Sequence, residues 1–204
     1  MPHPTMRAIS GATAPTALDA RATALVVIDF QKEYFDGGRL RIPDGDAALA
    51  QAKQLVRFAD THEMPVFHVQ HLNPAGSPLF AQDGACAAFH PEIQPQAHHT
   101  VVRKTTASSF ASTDLHAQLQ AGGIKTLIIC GLMTHMCVST TARDARPLGY
   151  QVLVAGDACA TRDIDAWDGG TVGHAALHRA ALTAVADSFA AVLPTARLTA
   201  LAVR

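Results

Sequence analysis

The chain has 204 residues, 49% of them hydrophobic, and 16 Lys and Arg against 17 Asp and Glu give it a formal net charge of −1. This length suits one compact domain with a substantial core. The basic residues are scattered and no apolar run is long enough to cross a bilayer, so neither nucleic acid nor a membrane is expected as a partner.

The first 22 residues contain prolines and lack the apolar stretch of a signal peptide. We therefore expect residues 1–22 to form a flexible arm, residues 23–204 to form one domain, and the protein to be cytoplasmic. The four cysteines, none in a CxxC spacing, are expected to be reduced in that compartment.

Short apolar runs alternate with segments of helical periodicity along the rest of the chain. The runs predict strands within residues 22–30, 64–72, 100–104, 124–132 and 150–158. Helices are predicted within residues 44–62, 114–121, 134–148 and 171–189. This alternation indicates βαβ units, and hence an α/β fold with a doubly wound, mainly parallel sheet and helices on both faces.

Residues 73–99 do not follow the alternation, because they contain four prolines and little periodicity. A loop of this length inside a compact domain is usually a functional lid or a partner-binding segment. The alternative is an ordinary disordered insertion.

Three chemically useful residues stand near the ends of predicted strands. Asp29 closes the first strand, Lys104 closes the strand at 100–104, and Cys137 follows the strand at 124–132. Because ligands of open parallel sheets bind outside the carboxyl ends of the strands, we expect these side chains to meet. Taken singly, the aspartate could be a cap, the lysine a solvated strand end and the cysteine a small core residue.

Cys137 is the nucleophile candidate because of its place in the chain. If Thr134 is the N-cap, Cys137 lies in the first helical turn, where the helix dipole and the Lys104 ammonium would lower its pKa. Free backbone N–H groups of that turn would also stabilise an oxyanion. Asp29 would take and return the proton, whereas Asp157 is predicted to close an outer strand and cap the following loop. The other cysteines lie in strands or loops and lack this setting: Cys86, Cys130 and Cys159.

Four segments together resemble the isochorismatase-like cysteine hydrolase superfamily. They read VVIDFQKEYF, VVRKTTASSFASTDL, GLMTHMCVSTTARDA and GYQVLVAGDACATRD, and the likeness runs from about Thr23 to Phe189. The resemblance implies a six-stranded, Rossmann-like three-layer fold and a homo-oligomer, either a dimer or a tetramer.

The resemblance also implies a catalytic site. The family's Asp, Lys and Cys fall on Asp29, Lys104 and Cys137. A cis peptide is expected between Leu132 and Met133, and the N–H groups of Met133 and Cys137 are expected to form the oxyanion hole. Members that cleave isochorismate commonly lack the cysteine, so its presence favours cleavage of a C–N bond in a small amide, ureido or carbamoyl substrate. A vinyl-ether hydrolase of the isochorismatase type and a catalytically silent small-ligand-binding protein are the alternatives.

Neither a metal nor another cofactor is expected. The family's metal-binding DxH element is replaced by His71-Leu72-Asn73, and no GxGxxG follows the first strand. The adjacent His98 and His99 should point apart if extended, and the pair His174 and His178 lacks a third ligand. The substrate is predicted to contact six side chains, the aromatic ones among them being equally compatible with core packing: Phe30, Gln31, Phe35, Phe110, His135 and Trp167.

Overall fold

The computed structural model describes residues 3–204 and contains a central sheet of six parallel strands. The strands of the chain are β1 Ala17–Leu18, β2 Thr23–Ile28, β3 Val66–His71, β4 Thr100–Lys104, β5 Thr126–Leu132, β6 Gln151–Ala160, β7 Ile164–Asp165, β8 Thr171–Val172, β9 Ala191–Leu193 and β10 Ala202–Val203. The central sheet has the order β4-β3-β2-β5-β6-β9, all neighbours being parallel. The predicted six-stranded parallel sheet is confirmed, although its sixth strand, β9, did not stand out as an apolar run.

Helices cover both faces of this sheet. They are α1 Met6–Ile9, α2 Gly45–Thr61, α3 Leu115–Ala121, α4 Ser139–Ala145, α5 His174–Ser188 and α6 Thr195–Thr199. Alternate residues of β2 enter different cores: Leu25 and Val27 pack with α2 and α6, whereas Ala24 and Val26 pack with α3, α4 and α5. This alternation explains why β2 reads as a continuous apolar run.

Two predicted helices have different boundaries in the structure. The segment predicted as one helix over 134–148 is a π-helical turn at Thr134–Val138 followed by α4, which ends at Ala145. The helix predicted from residue 171 begins at His174, because Thr171–Val172 pairs with Ile164–Asp165 in a hairpin. The predicted helices within 44–62 and 114–121 are confirmed as α2 and α3.

The described part of the N-terminal arm is attached to the domain. The N–H of Met6, at the start of α1, donates to Asp187 Oδ1 of α5 at 2.9 Å. Strand β1 pairs in parallel with β10 near the C-terminus. These contacts correct the expectation of a flexible arm for residues 3–22.

The 73–99 loop is also ordered. It contains 3-10 turns at Ala85–Ala87 and Pro91–Ile93, and its residue Phe89 forms a β-bridge with Gln31 directly after β2. The loop therefore lies against the edge of the sheet where β2 ends, and the reading as a disordered insertion is wrong.

The role predicted for Asp157 needs correction. It lies inside β6, which is flanked by β5 and β9 and is not an outer strand. Its Oδ1 accepts hydrogen bonds from the Thr195 N–H at 2.7 Å and the Thr195 hydroxyl at 2.8 Å. Asp157 thus stabilises the start of α6 rather than the loop after β6.

Candidate active site

The chain adds β3 and β4 on one side of β2, and β5, β6 and β9 on the other side. Asp29 lies at the switch point between β2 and β5. It follows β2 directly, with a positive φ of 53°, a conformation that Asp and Asn tolerate better than most residues. Its N–H donates to the Val69 carbonyl of β3 at 3.0 Å, which holds the turn in place. The carboxylate therefore lies at the carboxyl edge of the sheet, where ligands of this fold class bind.

On the other side of the switch point, Gly131 allows β5 to approach β2 closely. Its φ is 146°, and a Cβ there would stand 2.3 Å from the Ile28 carbonyl oxygen. Only glycine can occupy such a position without displacing backbone. The Leu132–Met133 peptide bond that follows is cis, at the position where the resemblance places it.

Cys137 lies in the π-helical turn after this bond. Met133, and not Thr134, is the residue that precedes the turn, and the Thr134 hydroxyl lies 2.9 Å from His178 Nδ1. The prediction that Thr134 caps an ordinary α-helix is therefore wrong. A π-helical turn within a helix often marks a functional site, which is consistent with a reactive residue here.

Lys104 brings the three candidate catalytic residues together. Its Nζ lies 2.8 Å from Asp29 Oδ2 and 3.2 Å from Cys137 Sγ. Asp29 and Lys104 are fully buried, and Cys137 is 5% exposed. An acid, a cation and a thiol from three strand ends thus form one cluster, as the strand positions predicted.

His71 completes the surroundings of the ammonium and was missed as a site residue. Its Nδ1 lies 3.1 Å from Lys104 Nζ, and the Thr106 carbonyl accepts a further hydrogen bond from Nζ at 3.0 Å. The parallel register pairs His71 of β3 directly with Lys104 of β4. A correct alignment of these two strands would have identified the contact from the sequence.

The predicted low pKa of Cys137 is wrong for the site without substrate. Burial raises the pKa of the Cys137 thiol to about 12; the Asp29 charge adds to this rise and Lys104 opposes it. Burial also raises the pKa of Asp29, against the influence of Lys104. Burial alone would lower the pKa of Lys104, but the charges of Asp29 and Cys137 raise it. Cys137 therefore remains a thiol near pH 7, beside the Asp29 carboxylate and the Lys104 ammonium.

The Asp29 carboxylate retains capacity to accept protons. Neither of its buried oxygens receives a well-aligned hydrogen bond from any residue that the structure describes, although Lys104 Nζ is close to Oδ2. An ionised carboxyl group in this state is a strong acceptor for a thiol or water proton.

Three of the predicted substrate contacts have structural roles. Phe30 and Phe35 belong to the core that packs against α2. The Gln31 amide nitrogen donates to the carbonyls of His71 and Ala87, and its oxygen accepts from the His71 N–H at 2.8 Å. Gln31 therefore joins the end of β3 to the 73–99 loop, and its amide is already fully engaged.

The other three predicted contacts differ from one another. His135 is half-buried in the π-helical turn that contains Cys137, where its Nδ1 lies 2.6 Å from Thr161 Oγ1. Phe110 stacks on Tyr150 at a centroid distance of 6.1 Å and lines a surface cavity of about 420 Å³. Trp167 is 98% exposed between β7 and β8, so it does not form a wall of this site within the chain.

The histidines outside the site form hydrogen-bonded groups. His98 and His99 do not point apart, because Nε2 of each approaches Asp60 Oδ1, at 3.1 Å and 2.8 Å respectively. The Gln96 N–H donates to His99 Nδ1, so in a neutral His99 it is Nε2 that carries the proton and donates to Asp60. Asp60 thus joins the two histidines in one hydrogen-bonded group, whose ligand atoms lie within 4.8 Å of one another.

The pair His174 and His178 is not directed at a shared point. His174 Nδ1 lies 2.7 Å from Asp163 Oδ1, whereas His178 Nδ1 faces Thr134. The two histidines, whose helical spacing suggested a metal-binding pair, therefore make two separate contacts.

Comparison with known proteins identifies the family. The family model described as the isochorismatase domain matches residues 23–197. The chain belongs to the isochorismatase family. An isochorismatase from Pseudomonas putida KT2440 has a TM-score of 0.85 and 35% identity, over 95% of this chain and 98% of that one. A cysteine hydrolase from Pseudomonas syringae pv. phaseolicola has a TM-score of 0.87 and 25% identity, over 98% and 97%.

Relatives with names that refer to an activity or a location are also similar in sequence. A secreted isochorismatase effector of Verticillium dahliae is 37% identical, over 86% of this chain and 89% of that protein. A streptothricin hydrolase of Streptomyces noursei is 36% identical, over 86% and 70%. A ureidoacrylate amidohydrolase of Stutzerimonas stutzeri is 29% identical, over 71% and 72%.

The location and partners of this member of the isochorismatase family stay predictions. No helix in the described part of the chain combines the length and apolar character needed to span a bilayer. Because one relative is named as a secreted effector, the expected cytoplasmic location is not established. The expected dimer or tetramer is likewise untested.

Proposed function

We propose that this member of the isochorismatase family hydrolyses a C–N bond of a small amide, ureido or carbamoyl substrate through a thioester on Cys137. The observation that carries the proposal is the position of Lys104 Nζ, 2.8 Å from Asp29 Oδ2 and 3.2 Å from Cys137 Sγ. This geometry allows the lysine to hold the charge of whichever partner has lost its proton.

The reaction begins when Cys137 transfers its proton to Asp29 while its sulfur attacks the carbonyl carbon of the substrate. Lys104 stabilises the negative charge that develops on the sulfur. The C–N bond then breaks as Asp29 returns the proton to the leaving nitrogen, which departs as ammonia or an amine. Asp29 next takes a proton from a water molecule that attacks the thioester, and that proton restores the thiol when the C–S bond breaks.

The raised pKa values of Asp29 and Cys137 support these roles, with Asp29 transferring protons and Cys137 attacking the carbonyl. A carboxyl group with a raised pKa both accepts and returns a proton more readily near neutral pH than an ordinary aspartate does. The thiol loses its proton only in step with the attack, so little free thiolate is exposed to other electrophiles. The N–H groups of Met133 and Cys137 are proposed to stabilise the oxyanion, as the resemblance implies.

The presence of the nucleophile favours C–N cleavage over vinyl-ether hydrolysis. A thioester is a productive intermediate for an acyl or carbamoyl group, whereas a vinyl ether requires only protonation and water. A relative named as a ureidoacrylate amidohydrolase lends support to an amide-type substrate.

The test is a screen for ammonia release with small primary amides, ureido acids and carbamoyl compounds. With the best substrate, Cys137→Ala and Asp29→Asn should each lower kcat at least about a thousandfold, and the double variant should be little worse than either. Cys86→Ala, which removes a thiol outside the cluster, is the control and should stay active. Loss of activity in Asp29→Asn with full activity in Cys137→Ala would instead support acid catalysis of the vinyl-ether type.

A further inference from the structure

Asp60, His98 and His99 converge at the edge of the sheet opposite the catalytic cluster. Asp60 lies in the last turn of α2, and the two histidines directly precede β4, whose other end carries Lys104. His98 Nε2 and His99 Nε2 lie 3.1 Å and 2.8 Å from Asp60 Oδ1. None of the three side chains takes part in the proposed reaction, so their convergence calls for another explanation.

The spacing of these atoms suits a tetrahedral metal ion. Zn²⁺ binds imidazole nitrogen and carboxylate oxygen at about 2.0–2.2 Å, so the ligand atoms of a tetrahedral site lie about 3.3–3.6 Å apart. The two distances to Asp60 Oδ1 therefore need to lengthen by only roughly half an ångström to accommodate the ion. Two imidazoles and one carboxylate favour Zn²⁺ over Mg²⁺ and Ca²⁺, which prefer oxygen ligands alone.

The exposure of the three side chains provides an entry path for an ion. The side chain of His99 is fully buried, that of Asp60 is 23% exposed and that of His98 is 62% exposed. Asp60 and His98 also line a cavity of about 380 Å³, together with Glu63. An ion can therefore enter from solvent beside His98, and the open side leaves room for a water molecule as the fourth ligand.

Neighbouring groups orient two of the ligands. The Gln96 side-chain amide donates to Asp60 Oδ2 at 2.8 Å, which leaves Oδ1 facing the two histidines. His99 Nδ1, on the far side of the ring from Asp60, lies 3.1 Å from His68 Nε2 of β3. Metal-binding histidines usually hydrogen-bond through their second ring nitrogen, and such partners set the orientation and the tautomer of the ligand.

Metal binding requires a change of tautomer in His99. Without metal, Nδ1 accepts from the Gln96 N–H, so Nε2 carries the proton of the neutral ring. An ion on Nε2 uses the lone pair of that nitrogen, so the proton moves to Nδ1, where His68 Nε2 can accept it. The Gln96 N–H then loses its acceptor, and only an ion that binds imidazole strongly can offset this loss.

We propose that Asp60, His98 and His99 bind a Zn²⁺ ion that joins the end of α2 to the start of the edge strand β4. The inference is independent of the proposed function, because the site lies away from the catalytic cluster and its test requires no turnover. A site assembled only in the folded chain stabilises that chain when the ion binds.

Zn²⁺ titration in competition with a chromogenic chelator measures the affinity. The parent for this experiment carries Cys86→Ala and Cys137→Ala, so that neither the partly exposed thiol nor the catalytic one can contribute a ligand. One ion should bind per chain, and Asp60→Asn, His98→Gln and His99→Gln should each weaken binding at least about tenfold. Because His98 is exposed, its variant decides the result if the substitution of buried His99 prevents folding.

Two further variants separate this site from general effects of charge or histidine content. Gln96→Leu removes the amide that orients Asp60 and should weaken Zn²⁺ binding about tenfold. His62→Gln removes a nearby histidine whose ring packs on Phe58, and it should leave the affinity unchanged. Zn²⁺ should raise the thermal unfolding midpoint of the parent and of His62→Gln, but not that of Asp60→Asn.

The tautomer of His99 provides a readout that adventitious surface binding would not change. Long-range ¹H–¹⁵N spectra of the imidazoles should show the proton on Nε2 without metal and on Nδ1 with one equivalent of Zn²⁺. The absence of binding to the parent in excess Zn²⁺ would overturn the proposal. Binding that survives both Asp60→Asn and His98→Gln, or that leaves the proton of His99 on Nε2, would overturn it as well.

Discussion

His71 Nδ1 lies 3.1 Å from Lys104 Nζ, and this contact determines the protonation of both side chains. An ammonium can only donate, so Nδ1 is the acceptor and the imidazole is neutral. Asn73 supports the same tautomer, because its amide nitrogen donates to the Leu79 carbonyl and its Oδ1 lies 3.1 Å from His71 Nε2. Burial and the Lys104 charge lower the pKa of His71, which keeps the ring neutral near pH 7.

We predict that His71 positions the ammonium. His71→Phe removes the acceptor, and a hydrogen bond to a charged group contributes about 1.5–3 kcal/mol, so kcat should fall roughly ten- to hundredfold. His71→Gln, whose amide oxygen can accept from Lys104, should retain more activity. Equal loss in both variants, or a loss confined to KM, would contradict a positioning role.

Charge changes at Asp29 and Lys104 should move the reactivity of Cys137 in opposite directions. Because the Asp29 charge raises the pKa of Cys137, Asp29→Asn should lower that pKa and speed alkylation by iodoacetamide at pH 8, although turnover is lost. Because Lys104 lowers the pKa of Cys137, Lys104→Met should slow alkylation. The pH dependence of the alkylation rate in each variant provides the check, and slower labelling in Asp29→Asn would count against it.

The strand ends predicted that Asp29, Lys104 and Cys137 lie together, because parallel strands bring their carboxyl ends to one edge. The same reasoning failed for the pKa of Cys137, since the degree of burial and the distance to Asp29 depend on the folded chain. Trp167 was wrongly predicted to contact the substrate, because it lies in the hairpin of β7 and β8. Strands of two residues are too short to show a periodicity in the sequence.

His71 was missed as a site residue for a related reason. The sequence analysis considered it only as part of the His71-Leu72-Asn73 element that replaces a metal-binding motif, whereas its contact with Lys104 depends on strand register. The His71–Lys104 pairing follows from the alignment of β3 with β4.

Gly131 should be indispensable for the geometry between β2 and β5. Gly131→Ala would place a Cβ 2.3 Å from the Ile28 carbonyl oxygen at a φ of 146°, so it should lower both stability and kcat. Gly45→Ala is a suitable control, because the nearest atom to its Cβ would be 3.5 Å away. Thermal unfolding should show a clear loss in the first variant only; an unchanged transition in Gly131→Ala would contradict the close approach.

Acid should weaken the fold through His68. Burial, followed by the charge of His99, lowers the pKa of His68 from 6.5 to about 4, so the folded protein binds this proton less readily than the unfolded chain. The contribution to stability is therefore present above pH 6.5 and is lost as the pH falls toward 4, with a total on the order of 3 kcal/mol.

His68→Gln keeps a neutral donor near His99 and should flatten this pH dependence. The free energy of unfolding, measured by urea titration at several pH values between 7.5 and 4.5, compares the variant with the parent. His62→Gln serves as the control, because it replaces a histidine that is not part of the His68–His99 pair. Parallel pH profiles for the parent and His68→Gln would exclude His68 as the responsible group.

The thioester on Cys137 can be observed directly by mass spectrometry of the acid-quenched reaction with the best substrate of the amide screen. The expected result is an acyl or carbamoyl adduct on the peptide that contains Cys137, formed within the first turnover, absent from Cys86 and absent in Cys137→Ala. Sustained turnover without an adduct in the parent protein, together with full activity of Cys137→Ala, would contradict covalent catalysis by this cysteine.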